Sequence, residues 1–301
     1  MPNVAVNGLF LLDKHEGITS HTAVKRVQRL FDADSAGHTG TLDPLATGVL
    51  PVLLGRGVKA SEFLLETDKH YEAVLRLGLT TDTEDITGTV LSVANDLPSP
   101  EAVVAAAAAF QGDLLQTPPM YSAIRVGGRR LMEMAREGQT VEREPRPITV
   151  HRLTVTPLSP TDYLLDVVCS KGTYIRTLCA DIGKALGVGG VMSALRRTEA
   201  AGFSVSRCLS LDALEALSPE ERLAHLLPTE TLFAELDVLP LSPFYARLAH
   251  CGQEIYLAKL RRALPLGTRV RLYDEQGFFA LGEVRAFPDG DAVKPIKLFR
   301  L

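Results

Sequence analysis

The segment Gly37–Gly48, Gly-His-Thr-Gly-Thr-Leu-Asp-Pro-Leu-Ala-Thr-Gly, constrains this chain more than any other. Gly37, Gly40 and Gly48 supply backbone freedom that suits neither a helix nor a strand. Pro44 fixes its own φ and biases Asp43 towards an extended conformation. The segment predicts a rigid loop that presents one carboxylate, with a histidine and several hydroxyls beside it. Rigid loops on a scaffold are where chemistry collects. Taken alone, an Asp-Pro among glycines is more often a plain turn. No metal spacing accompanies it: there is no His-Glu-x-x-His, no cysteine pair at zinc spacing and no EF-hand loop. A Walker phosphate loop and a Gly-x-Ser-x-Gly elbow are also missing. Asp43 therefore reads as a bare carboxylate, either nucleophile or base.

At 301 residues the chain is long enough for a real core and about two domains. No apolar window reaches the length of a membrane span. Met1-Pro2-Asn3-Val4 lacks the basic start and apolar core of a signal peptide, so a cytoplasmic protein is expected. Cys169, Cys179, Cys208 and Cys251 are scattered without framework spacing, which fits free thiols in a reducing compartment. The net charge of −4 argues at first against a nucleic-acid partner. Its distribution argues otherwise. Met120–Arg152 carries a net +3, Cys169–Arg197 a net +4 and Arg247–Arg271 a net +5, while Leu211–Asp237 carries −6. A charge run is usually just a solvated face, so the basic blocks carry weight only together with other signals.

Leu9–Leu12 reads as a buried strand, and Ser20 as the N-cap of a helix from about His21 to Phe31. Val49–Leu54 is apolar and Val58–Leu65 has a helical look. Tyr71–Leu77 alternates, with Tyr71, Ala73, Leu75 and Leu77 on one side. Ser99-Pro100-Glu101 opens a helix through the alanine run to Phe110, with Gly112 ending it. Tyr163–Cys169 predicts a strand and Tyr174–Leu186 a helix closed by Gly187. Ser218-Pro219-Glu220-Glu221 is a capping box. Beyond a boundary near Leu236, strands over Thr268–Tyr273 and Phe278–Val284 predict a small β-rich module.

Two further stretches stand out. Gln116-Thr117-Pro118-Pro119-Met120-Tyr121-Ser122-Ala123 leads into Arg125, Arg129 and Arg130. It is either a surface excursion with solvated arginines or an arm that grips phosphates. Ser170-Lys171-Gly172-Thr173-Tyr174-Ile175-Arg176 ends a strand and begins a helix. Gly172 permits the turn, and Tyr174 and Arg176 then fall in the first helical turn, where anions are favoured. Arg176 is placed to pair with a carboxylate from elsewhere.

Gly-His-Thr-Gly-x-Leu-Asp-Pro-x-Ala-x-Gly-x-Leu-Pro over Gly37–Pro51, Pro118-Pro119-x-x-Ser122-Ala123, and Ser170–Arg176 occur in this order, together with Tyr71. With these motifs the chain resembles the TruB family of tRNA pseudouridine synthases from about Leu11 to Arg197. The resemblance implies an α+β pseudouridine synthase fold: a central mixed, largely antiparallel sheet flanked by helices and loops. It implies a catalytic domain over 1–235 with an RNA-gripping insertion at about 116–147. A PUA-like RNA-binding domain would occupy 236–301. It further implies that uridine 55 in the T-loop of tRNA becomes pseudouridine, with no cofactor, no metal, no membrane, and no obligatory protein partner or guide RNA, in a monomer.

The family's site carries over residue by residue. Asp43 matches the catalytic carboxylate, which either adds to the nucleotide or takes a proton from the sugar while the base is detached. The target base must be flipped out of its stack, at a cost of a few kcal/mol. His38 matches the residue that fills the vacated space. Tyr71 would stack on the flipped uracil, worth roughly 1–3 kcal/mol. Arg176 would hold Asp43 ionised, Tyr174 and Leu195 would wall the pocket, and Arg196-Arg197 would meet phosphate. Lys14-His15-Glu16-Gly17 departs from the usual Lys-Pro-x-Gly, which predicts a less rigid loop, and Met132 stands where an aromatic residue is usual. Three rival readings remain: an RNA-guided synthase in a larger particle, a non-catalytic RNA-binding protein, and a hydrolase using Asp43 with His38. The arginine-bearing insertion favours a stand-alone enzyme over the first. The intact Asp43, Tyr71 and Arg176 argue against the second, and the length of the motif against the third.

Overall fold

The computed structural model describes residues 6–64 and 67–300. Met1–Val4 and the end of the expected Val58–Leu65 helix at Leu65 lie outside the described residues. Before that end, the segment is a 3-10 turn, Gly55–Ala60, followed by a short helix, Ser61–Leu64.

Among the described residues, ten strands form one mixed sheet. Gly8–Lys14 pairs antiparallel with Thr47–Leu54, whose start touches Gly190–Ala200 in parallel through Arg196 opposite Thr47 and Arg197 opposite Gly48. Gly190–Ala200 then pairs antiparallel with Lys69–Leu77, and the sheet continues through Asp162–Cys169, Arg146–Pro157 and Gly112–Gln116. The alternation expected over Tyr71–Leu77 is present, with Tyr71, Ala73, Leu75 and Leu77 buried. These residues pack with Val24 and Val27 of the Ser20–Leu30 helix, Val103 of Pro100–Ala108, and Leu178 and Ile182 of Ile175–Ala185.

The Leu9–Leu12 run is apolar throughout because both of its faces are covered. Phe10 and Leu12 enter the main core, whereas Leu9 and Leu11 join a second cluster with Phe233, Leu281 and Phe299. That cluster attaches a five-stranded sheet built from Val238–Pro240, Ile255–Tyr256, Arg269–Asp274, Gly277–Phe287 and Gly290–Leu298. The second sheet also has a core of its own, around Leu272, Phe279 and Val293.

Most end signals act as expected. Ser99 caps its helix by accepting from Ala102 N–H, Ser218 and Glu221 form the capping box, and Gly187 follows Ile175–Ala185 with φ +76°. The alanine helix ends earlier than its composition suggests, at Ala108, and Gly112 (φ +107°) instead opens a strand.

Gly48 is the tightest backbone crossing in the sheet. Its φ is +102°, and a Cβ there would lie 2.1 Å from the Arg197 carbonyl oxygen. Gly48→Ala is therefore expected to destabilise the fold by about 3 kcal/mol, combining backbone strain with a backbone clash. Urea denaturation measures the loss, and an unchanged midpoint would contradict this crossing.

Candidate active site

The Asp43 loop joins Ala36–His38 to Thr47–Leu54, and side chains from distant segments hold it. Ser20 Oγ donates to the Leu42 carbonyl (2.9 Å) and accepts from Leu42 N–H (2.8 Å). Lys14, fully buried at the end of its strand, donates from Nζ to the carbonyls of Ala46 (2.6 Å), His15 (2.9 Å) and Pro44 (3.4 Å). Arg197, 1% exposed, donates from Nη2 to the Gly40 carbonyl (3.0 Å) and from Nε to the Val49 carbonyl (2.8 Å). Gly17 N–H adds a bond to the Pro44 carbonyl (2.9 Å). A loop this rich in glycine makes few bonds of its own, so buried cations and a buried hydroxyl satisfy its carbonyls.

These contacts revise two expectations. The helix N-cap is Thr19, whose side chain accepts from Thr22 N–H at 3.0 Å, while Ser20 turns inward to the loop. Arg197 is not available as half of a phosphate-binding pair. Arg197 is interior, and Arg196 is engaged with Asp13 at 2.8 Å. Their strand, Gly190–Ala200, has no clean alternation in the sequence. Two register shifts, at Met192/Ala194 and Arg197/Glu199, break the period, and an arginine occupies a core position.

Arg176 Nε lies 2.9 Å from Asp43 Oδ2. Its remaining nitrogens are occupied as well. Nη1 donates to the Thr83 carbonyl (3.0 Å) and Nη2 to the Tyr121 carbonyl (2.8 Å), and Nη1 is 3.9 Å from Asp85 Oδ2. Asp85 is buried, and its Oδ1 accepts from Thr83 Oγ1 (2.8 Å), Thr87 N–H (2.9 Å) and Thr87 Oγ1 (2.6 Å). Asp85 is absent from the sequence-derived site. Its only sequence signal is a Thr-Asp-Thr-Glu-Asp-Ile-Thr-Gly turn after the Tyr71 strand. Burial raises the Asp43 carboxyl above its ordinary pKa, opposed by the Arg176 charge, reinforced by Asp85 and opposed again by Lys14.

A cleft of about 320 Å³ opens over this pair. Asp43, Tyr71, Tyr174, Arg176 and Leu195 all line it, together with Met132 from the insertion. Tyr71 is 8% exposed, and burial raises its phenol pKa against the pull of Arg197. Tyr174 takes the N-cap position of the Ile175–Ala185 helix rather than its first turn. Leu195 faces the cleft from the strand position opposite Ala73. His38 is the one predicted site residue outside the lining. It sits on the edge strand opposite Val52, and its Nδ1 is buried without a partner among the described residues. Burial, and then the Arg197 charge, lower its pKa.

Comparison with known proteins fits this geometry. The N-terminal-domain model of the TruB family of pseudouridylate synthases matches residues 28–175, and that of the tRNA pseudouridylate synthase B C-terminal domain matches residues 176–234. The tRNA pseudouridine synthase B of Neisseria meningitidis serogroup B is 43% identical over 275 residues, which is 91% of this chain and 89% of that protein. Its Burkholderia mallei counterpart is 45% identical over 276 residues, 91% of each chain. Among solved structures, a Cbf5-Nop10-Gar1 complex aligns with TM-score 0.67 at 26% identity, over 97% of this chain and 84% of the other. The archaeal box H/ACA sRNP Nop10-Cbf5 complex aligns with TM-score 0.68 at 25% identity, over 97% and 86%. The architecture is the pseudouridine synthase fold, α+β with a mixed sheet and a β-rich C-terminal region.

Lys14 gives the loop a pH signature. Burial lowers its amine from 10.5 to about 8, against the pull of Asp43 and Glu16. Between those values the unfolded chain binds more protons than the folded protein, so unfolding free energy rises with pH. Lys14→Met lacks this contribution. The stability difference, wild type minus variant, should therefore shift towards wild type from about pH 8 to 10.5, by up to about 3 kcal/mol. Urea titrations at each pH measure it, and a flat difference would mean that the amine is solvated.

Proposed function

The chain belongs to the TruB family of pseudouridylate synthases, and from that premise we propose that it isomerises uridine 55 in the T-loop of tRNA to pseudouridine. The relatives at 43% and 45% identity, named tRNA pseudouridine synthase B, support tRNA as the substrate. The observation that carries the reading is Asp43: a carboxylate lining a cleft of about 320 Å³ with Tyr71, paired with an arginine whose nitrogens are otherwise occupied by protein. The reaction breaks the N1–C1′ bond of the nucleotide and forms a C5–C1′ bond. A proton leaves C5 and a proton is gained at N1, so the product is an isomer and no redox partner is consumed. Asp43 acts in its ionised form, as nucleophile towards the nucleotide or as base on its sugar. Arg176 keeps that form accessible although burial works against it.

The flipped uracil stacks on Tyr71, and Tyr174 and Leu195 close the sides. His38, with its ring neutral beside the loop, fills the space the base leaves. The Arg125–Val126 and Arg129–Arg130 strands of the insertion carry exposed arginines that suit the T-loop backbone. The five-stranded C-terminal unit is a PUA-like RNA-binding domain, and exposed Lys259, Arg261 and Arg262 favour backbone contact. The enzyme works as a monomer in the cytoplasm.

The Cbf5 neighbours come from complexes with Nop10, which keeps an RNA-guided reading in view. The names of the closer relatives and the arginine-bearing insertion favour a stand-alone enzyme. A purely binding role gives no reason for Asp43, because a carboxylate facing a cleft repels phosphate rather than holding it.

Two substitutions test the reading on an unmodified tRNA transcript. Asp43→Asn should abolish pseudouridine formation while tRNA affinity stays within about threefold, since the carboxylate contributes chemistry rather than phosphate contacts. Turnover near the wild-type rate would overturn the role of Asp43. Tyr71→Leu should remain folded, because an apolar side chain still fills the site, and should lose about five- to a hundredfold in rate with the stacking face gone. A Tyr71→Leu protein that is folded and fully active would remove Tyr71 from the mechanism.

A further inference from the structure

Gln116 is 4% exposed and makes a two-point contact with the backbone of Tyr174. Its Nε2 donates to the Tyr174 carbonyl (3.0 Å), and its Oε1 accepts from Tyr174 N–H (2.8 Å). The gripped residue matters. Tyr174 is the N-cap position of the helix that carries Arg176, and no side chain caps that helix end in the usual way. Its carbonyl also accepts the first helical bond, from Leu178 N–H at 3.0 Å. The preceding turn runs through Gly172 at φ +79°, a residue that constrains little. The amide of Gln116 therefore supplies orientation that the local sequence does not.

We propose that Gln116 is a positioning residue for the isomerisation: its amide fixes both backbone groups of Tyr174 and so aims Arg176 at Asp43. The inference rests on the functional reading above. Gln116 also ends the Gly112–Gln116 strand opposite Arg146, where the insertion leaves and re-enters the sheet. The insertion reaches Arg176 a second time through the Tyr121 carbonyl, at 2.8 Å. The arginine is thus set by the base of the insertion as well as by its own helix. An apolar residue of the same volume would fill the space but leave the Tyr174 N–H without its acceptor.

The test uses Gln116→Met, which conserves volume, and Gln116→Asn, whose shorter amide cannot span both contacts. Single-turnover rates at saturating tRNA are measured across pH, with exchange of the Tyr174 amide followed by NMR. Both variants should react at least about tenfold more slowly. The acid limb of their rate profiles should move to higher pH by about half a unit or more, because a displaced Arg176 lowers the Asp43 pKa less. Protection of the Tyr174 amide should fall about tenfold. Slow variants with an unmoved acid limb would overturn the proposal, since a merely structural role slows turnover without retuning Asp43. Wild-type rates in both variants would overturn it as well. If the unsubstituted enzyme forms no pseudouridine, the functional reading fails by itself. The amide exchange still decides whether Gln116 holds Tyr174, and undiminished protection would then overturn the clamp.

Discussion

Buried cations bonded to backbone carbonyls are the interaction on which this structure depends. Lys14 and Arg197 hold the Asp43 loop from behind, and Arg176 holds the Thr83 and Tyr121 carbonyls while facing Asp43. A glycine-rich loop has two needs that conflict. It must place one carboxylate within a narrow tolerance, yet it has too few internal bonds to hold a shape. Charge-assisted bonds from fixed strands and a helix meet both needs, because each is stronger than a neutral bond and each ties the loop to a rigid element.

The same arrangement accounts for the electrostatics. Three cations surround the Asp43 loop, and among the described residues Arg176 is the one that pairs directly with the carboxylate. Burial outweighs that contact in setting the Asp43 pKa, which is therefore raised rather than lowered. Asp85 takes a share of the Arg176 charge while three donors saturate its own Oδ1. Its effect is to temper the arginine. A carboxylate that must give up or share its charge during a reaction is better served by such a partner than by an undivided salt bridge.

Much of this was legible in the sequence, and the illegible part has one physical cause. Asp43, the Tyr71 strand and the helix bearing Arg176 announce themselves through glycine, proline, alternation and end signals, which are local. Ser20, Arg196 and Arg197 act through partners between 22 and 183 residues away, and Asp85 is buried beside the distant Arg176, whereas a polar residue in a sequence looks solvated by default. The basic blocks show the same effect. Arg143, Arg176, Arg197 and Arg271 all add to the charge that suggests RNA, yet each donates to a protein carbonyl. Net charge along a chain counts cations without saying which of them the fold has already engaged. His38 is a milder case: its motif places it beside the loop, but the edge strand keeps its ring out of the cleft lining.

The C-terminal sheet belongs to the same chain of dependence. Leu281 and Phe299 reach across to Leu9, Leu11 and Leu53, and Phe233 packs edge-on or tilted against Phe63, Phe278 and Phe299 at centroid distances of 5.5, 6.1 and 5.6 Å. The strands covered in this way, Gly8–Lys14 and Thr47–Leu54, are the two whose ends carry Lys14 and the exit of the Asp43 loop. Taking the sheet away would return Leu9, Leu11 and Leu53 to water, and the lost burial would fall on the strands that fix the loop. An appended unit that only gripped RNA could be joined by a loose linker. One that shares a core with the loop's own strands contributes to the geometry of the site even before any RNA is bound.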